Sequence, residues 1–235
     1  MRTVIGLIAA VVMTLSLVAP GSAGATGGAQ SGGVSANPVL GALSASWWQW
    51  RISIPVPDEG TPSQANCDQR QRGPVFYLSG TTGTDEVGAV QRLCTVPYGK
   101  SLFFPLITIA NVQTEPKETA RMLWDQVHVG AGWEVLSVNA TVDDKPLPGL
   151  SVDNGVYRGC AGPERGCFPG SFPVIAPKGN IFGVKPGWHD PNIADGYYAL
   201  LPPLSRGTHT IAFSGEAAFG NGTFTQDVTY TLTVK

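Results

Sequence analysis

The chain is poor in charge. Lysine, arginine, aspartate and glutamate make up 14% of it and the formal net charge is -2, so it offers neither a basic field for nucleic acid nor an acidic run for a cationic partner. Histidine is scarce as well: with 3 in all, a three-histidine zinc site would need every one of them. The cysteines show no Cys-x-x-Cys spacing, the usual mark of a thiolate metal site. Nor does the chain hold a Gly-x-Ser-x-Gly elbow, a His-Glu-x-x-His helix, a P-loop or a dinucleotide fingerprint. Ser79-Gly-Thr-Thr-Gly reads as a turn between strands, without the helix N-terminus that phosphate binding needs. Past the first segment no apolar run approaches the roughly 20 residues of a membrane-spanning helix. The expectation is a chain with no metal, no cofactor, no nucleic-acid partner and no transmembrane segment in its mature part.

What is present begins with an export signal. Arg2 precedes an apolar stretch from Val4 to Val18, Pro20 breaks it, and Ala23-Gly24-Ala25 offers a small-residue cleavage site. Residues 1–25 therefore read as a cleavable signal peptide, 26–36 as a flexible Gly/Ser-rich linker, and 37–235 as a single β-rich globular domain. Cys67, Cys94, Cys160 and Cys167 all follow the signal, in a chain bound for a secreted or extracytoplasmic, oxidising compartment where thiols pair. Of the three arrangements available, we expect Cys67 with Cys94 and Cys160 with Cys167. The second pair closes a tight loop, Cys160-Ala-Gly-Pro-Glu-Arg-Gly-Cys167, whose Gly and Pro suit a stapled turn.

Asn37-Pro38 is a helix start, with Asn as N-cap and Pro at the first helical position. Helical spacing places Trp47 and Trp50 on one buried face and points Trp48 elsewhere. A second short helix is expected from Thr114 to about Asp125. Strands are expected at Val75–Leu78, Gln91–Val96, Leu102–Ile109 and Glu134–Val142, the last with Leu136, Val138, Ala140 and Val142 on one face. Alternation is cleanest in the last two strands, His209-x-Ile211-x-Phe213 and Phe224 to Val234. Such alternation belongs to antiparallel strands with one face on a core. The 30 glycines and 19 prolines supply the turns. Together these features indicate a mainly β fold, an antiparallel β-sandwich with two short helices.

Several stretches resemble a group of uncharacterised secreted bacterial proteins. They are Trp47-Trp-Gln-Trp with Ser53 and Pro55, Gly73-Pro-Val-Phe-Tyr-Leu-Ser-Gly, and Cys94-Thr-Val-Pro-Tyr-Gly-Lys-Ser-Leu-Phe-Phe-Pro. Asn180-Ile-Phe-Gly, Ala194-Asp-Gly-Tyr-Tyr and Leu201-Pro-Pro-Leu-Ser-Arg-Gly-Thr-His-Thr-Ile-Ala-Phe-Ser-Gly complete the set. The resemblance spans most of the mature chain. It implies export and a disulfide between Cys67 and Cys94, and it implies no activity. Cys160 and Cys167 fall outside it.

The segment from Ser151 to Asp195 is long, rich in Gly and Pro, and poor in periodicity, the kind of connection that often carries function. It ends in the densest set of chemically capable side chains: Trp188, His189, Asp190, Asp195, Tyr197 and Tyr198. An imidazole can act as general acid or base, a carboxylate can orient it, and the tyrosines can donate hydrogen bonds or stack. His189, Asp190, Asp195 and Tyr197 are thus candidate catalytic groups, with Asp68 and Glu134 as further carboxylates for a glycosidase pair. Asp190-Pro and Asp195-Gly also fit ordinary turns. Trp188, Tyr198 and Trp48 are candidate ligand-binding residues, because an aromatic face suits the C–H groups of a sugar ring. His209 shares a face with Ile211 and Phe213 and reads as structural, and His128 has no carboxylate at metal spacing beyond Asp125. Two functions follow: a secreted binding protein for a glycan or cell-wall polymer, or a secreted carbohydrate-active hydrolase or lyase using Asp, His and Tyr.

Overall fold

The longest strands form where the alternation is cleanest. Two 13-residue strands, β11 (Gly207–Phe219) and β12 (Gly222–Val234), pair antiparallel from Gly207↔Val234 to Phe219↔Gly222. They form the centre of one of two five-stranded sheets in the computed structural model, which describes residues 35–56, 67–81 and 88–235. The expected signal peptide 1–25, most of the expected 26–36 linker, and residues 57–66 and 82–87 lie outside the described residues.

Before these come α1 (Pro38–Ser53), β1 (Val75–Tyr77), β2 (Ala89–Val96), β3 (Ser101–Val112), α2 (Ala120–Asp125) and β4 (Glu134–Val142). Then follow β5 (Lys145–Pro146), β6 (Arg158–Gly162), β7 (Phe168–Pro169), β8 (Val174–Ala176), β9 (Gly187–His189) and β10 (Asn192–Leu201). The outer sheet has the order β2-β12-β11-β4-β5 and the middle sheet β1-β3-β10-β6-β7, while β8 and β9 form a separate ribbon. The expected sandwich is present, with one difference: both sheets are mixed. β1 runs parallel to β3, and β2 parallel to β12. The chain leaves β1, crosses to the outer sheet as β2 and returns as β3, and such a crossover is what parallel neighbours require.

The middle sheet is covered on both faces. Leu102, Phe104, Leu106, Ile193, Tyr197 and Ala199 pack against the outer sheet, with Ile211, Phe213, Val228 and Tyr230 opposite. Phe103, Ala110, Val112, Ala194 and Tyr198 point the other way, onto α1 and β8. Strands buried on both sides lose their alternation, which is why β3 and β10 read as nearly unbroken apolar runs.

α1 forms as its first residues dictate. The Asn37 carboxamide oxygen accepts from the Val39 and Leu40 amides at 3.0 and 3.5 Å, and Pro38 opens the helix. The expected two-faced helix is not what forms: Trp47, Trp48 and Trp50 are all buried, since α1 lies in a trough between β6, β10 and β8 and is enclosed on most of its circumference. Close approach is possible only because Gly41 and Gly159 lack side chains. A Cβ at Gly41 would stand 2.4 Å from the Cys160 carbonyl oxygen, and one at Gly159 would stand 2.7 Å from the Leu40 carbonyl carbon.

Two further expectations change. The second helix begins at Ala120, not Thr114, because the Glu118 carboxylate accepts from the Thr114 and Glu115 amides at 2.8 and 2.9 Å and closes a turn there; Thr119 then caps α2. α2 continues into a π-helical turn over Gln126–Gly130. In β4, Leu136 is exposed, because a bulge opposite Glu216 and Ala217 shifts the register and brings Val135 against the core in its place.

Both expected disulfides are present, Cys67–Cys94 across 27 residues and Cys160–Cys167 across 7. Loop-closure entropy gives the long bridge about 3.5 kcal/mol and the short one about 2.4 kcal/mol. No helix among the described residues is long and apolar enough to cross a membrane.

Candidate functional site

The six clustered side chains near the start of β10 do not converge. A strand sends successive side chains to opposite faces, and β10 separates them accordingly.

Trp188 stands on the β8–β9 ribbon, directly opposite Ile175. The two are 65% and 68% exposed, while their neighbours Val174 and Ala176 are buried against α1. Polar bonds anchor the ribbon. Asn192 donates from Nδ2 to the Phe172 and His189 carbonyls at 2.7 and 2.8 Å, and its Oδ1 accepts from the Gln113 amide at 3.0 Å. His189 is wedged between two carbonyl oxygens, with Nδ1 2.6 Å from that of Gln113 and Nε2 2.7 Å from that of Lys185. Neither ring nitrogen is left to serve a substrate. The Asp190 amide donates to Gln113 Oε1 at 3.3 Å, and its carboxylate takes the Ser171 hydroxyl at 3.5 Å.

Asp195 lies elsewhere, in the middle of the sandwich. Its Oδ1 accepts from Arg158 Nε at 3.1 Å and from the Gly196 amide at 2.9 Å. Its Oδ2 takes Arg158 Nη2 at 3.0 Å and His128 Nε2 at 2.9 Å. Burial by itself would raise the carboxyl pKa, but the His128 hydrogen bond and the Arg158 charge outweigh it and hold the group below the ordinary carboxylate range. Arg158 shows the converse: burial favours loss of its proton, and Asp195 more than compensates. The His128 ring stacks on Trp124 with centroids 3.9 Å apart, and its Nδ1 sits 3.0 Å from the Trp124 carbonyl oxygen. Gly162 makes room for that indole, since a Cβ there would come within 2.6 Å of it. Tyr197 donates its hydroxyl to the Val152 carbonyl at 2.6 Å, and burial raises its pKa.

Tyr198 faces the opposite way, under α1. It is fully buried, its ring stacks on Phe103 at 5.2 Å, and its hydroxyl bonds that of Thr108. Burial pushes the phenol pKa far up, so the hydroxyl stays protonated. Trp48 Nε1 donates to the same Thr108 oxygen at 3.3 Å. Trp48 also lines a cavity of about 130 Å³ with Trp47, Phe182, Phe224 and Gln226. The hydroxyl of Thr81 in that lining is buried without a hydrogen-bond partner among the described residues. Of the three aromatic candidates, then, Trp188 alone is exposed.

The remaining carboxylate candidates are scattered: Asp68 beside Cys67, Glu134 at the start of β4, Asp190 after β9. Among the described residues no three His, Cys, Asp or Glu side chains gather in a way that could hold a metal ion. His209 occupies the end of the core face of β11, with Nδ1 2.7 Å from Asp143 Oδ2 and Nε2 3.0 Å from the Ser205 carbonyl oxygen. Reading the sequence alone missed Arg158 and His128 as partners of Asp195. The only trace was His128 four residues after Trp124, one helical turn; Arg158 sits in a stretch without periodicity and left none.

No protein-family model matches the chain, and no curated protein matches it. A solved structure described as the solution structure of amebosin aligns at 14% identity over 69% of this chain and 100% of its own length, with a TM-score of 0.20. A likeness at that level carries no argument.

Proposed function

We propose that the chain is an exported binding protein for a carbohydrate or cell-wall polymer, with Trp188 as its stacking residue. The exposed indole carries this reading. It is two-thirds open to solvent, stands on a ribbon anchored by Asn192 and His189, and has exposed Ile175 beside it. An indole face takes the axial C–H groups of a sugar ring, and polar groups at its margin take the hydroxyls. Held by the ribbon, the ring gives up little freedom when ligand arrives. Against a hydrolase or lyase built on His189, Asp195 and Tyr197 stands the engagement of each: two carbonyls on the first, an arginine and a histidine on the second, a carbonyl on the third. Export draws support from the two disulfides, which belong to an oxidising compartment, and from the signal-like residues 1–25.

A glycan array and pull-down on insoluble cell-wall polysaccharide test the proposal. Trp188→Ala should abolish binding and leave the melting temperature nearly unchanged. Trp47→Ala should instead destabilise the fold by about 3 to 5 kcal/mol, as truncation of a buried tryptophan does. If Trp188→Ala binds as the parent does, or unfolds, the ribbon is structural and the assignment fails.

A further inference from the structure

At the opposite end of β3 from the ribbon, a cleft opens between the edges of the two sheets, with a volume of about 790 Å³. That is within the usual range for ligand sites. The Cys67–Cys94 bridge lies in its wall.

Both sheets end here, β1 closing the middle sheet and β2 the outer one. The edge of β1 is already occupied. Gln71 donates from Nε2 to the Tyr77 carbonyl at 2.7 Å and accepts the Tyr77 amide at 3.0 Å, a side chain standing in for a neighbouring strand. The edge of β2 has no such cover: among the described residues its eight positions pair with β12 on one side alone. Leu93 and Cys94 are successive and point to opposite faces of β2, yet both line the cleft. A cleft that touches both faces of a strand runs along its edge, where the unpaired backbone amides and carbonyls point. Leu93 is 72% exposed, an apolar contact beside that edge.

The charge of the cleft selects its occupant. Arg72, Lys100 and Lys235 line it against one acidic side chain, Asp68, in a chain whose overall charge is -2. Arg72 and Lys235 are exposed, and neither is drawn into an ion pair among the described residues. We propose that this cleft docks an extended acidic peptide, which adds as a strand to the open edge of β2 while its carboxylates meet Arg72, Lys100 and Lys235. Backbone pairing supplies the affinity in this mode, and alternate side chains supply the selection. An apolar residue of the peptide rests on Leu93. The site is independent of Trp188.

The probe is a fluorescein-labelled decapeptide of alternating Glu and Val, titrated by anisotropy against the full chain. Saturable binding is expected, weakening as salt rises. Arg72→Glu combined with Lys235→Glu should weaken it by about tenfold at low salt, because exposed charges act mainly through steering and screening. Leu93→Asp is a second variant on the same edge and should also weaken binding, whereas Trp188→Ala should leave it unchanged. The same peptide N-methylated at alternate residues along one edge should lose binding, since it cannot pair. The proposal is overturned if the peptide does not bind, if the N-methylated form binds equally well, or if an oligogalacturonate of equal charge displaces the peptide with equal affinity. The last two outcomes would reveal a general anion surface in place of a strand-docking edge.

Discussion

Asp195 with His128 and Asp143 with His209 pair the same two side-chain types at nearly the same distance, 2.9 and 2.7 Å, in opposite surroundings. The first carboxylate is enclosed and has four donors: two from Arg158, one from His128 and the Gly196 amide. The second is half exposed and has two, from His209 and the Thr210 amide. A charge taken out of water needs protein donors on nearly every lone pair, and one left at the surface does not. Arg158 is therefore a consequence of burying Asp195, and the buried pair is a structural joint linking β10, β6 and the π-helical turn.

Removing the enclosed carboxylate should break the joint most severely. Asp195→Ala leaves Arg158 without its counter-charge inside the fold and should cost about 3 to 5 kcal/mol in urea unfolding. A loss below 1 kcal/mol would mean that the cluster is far wetter than its burial indicates.

Arg158→Met, which keeps the stem and removes the charge, should come next, at about 3 kcal/mol. It should also move acid unfolding. Asp195 has a pKa held below its ordinary 3.8, so its contribution is complete above that value and is lost as pH falls through the lowered one. Without Arg158 the lowering shrinks, and the acid midpoint should rise towards neutrality. An unchanged midpoint in an acid titration followed by tryptophan fluorescence would contradict the role given to Arg158.

The exposed pair should give the smallest effect. A double-mutant cycle with Asp143→Asn and His209→Ala should show a coupling of about 0.2 to 1 kcal/mol at pH 5, because solvent screens it. His209 has a pKa raised above 6.5 by Asp143, so its share is complete below 6.5 and fades as pH climbs through the raised value. Asp143, lowered beneath 3.8, loses its share only in strong acid. Coupling should therefore be smaller at pH 9, where the charge part is lost and only the neutral hydrogen bond is left. Coupling of equal size at pH 5 and pH 9 would remove charge from the explanation.

Local chemistry was legible wherever one residue's surroundings are set by its immediate neighbours in sequence. Asn37-Pro38 starts α1, and the 211–234 alternation produces the two longest strands. The short disulfide belonged to this class too, since a seven-residue separation suits its geometry. What failed depended on a second element. Trp48 was expected off the buried face, and α1 is instead enclosed on several sides; Leu136 was expected inward, and a bulge opposite Glu216 turned it out. Asp195 and Trp188 looked like neighbours, seven residues apart in sequence. A ribbon turning into a central strand carries one to the surface and the other to the core.

By itself, then, the sequence determined the mainly β character of this protein, the start of its first helix and the short disulfide, because hydrophobic period, capping and short-loop closure act over a few residues. Tertiary structure alone decided which sheet each strand joined, that α1 would be buried nearly all round, and that Asp195 would meet Arg158 and His128. Those outcomes depend on contacts between segments far apart in sequence, 37 and 67 residues for Asp195 and 124 for Gln49 of α1 with Pro173, whose pairing energy exists only once the layers close and water leaves.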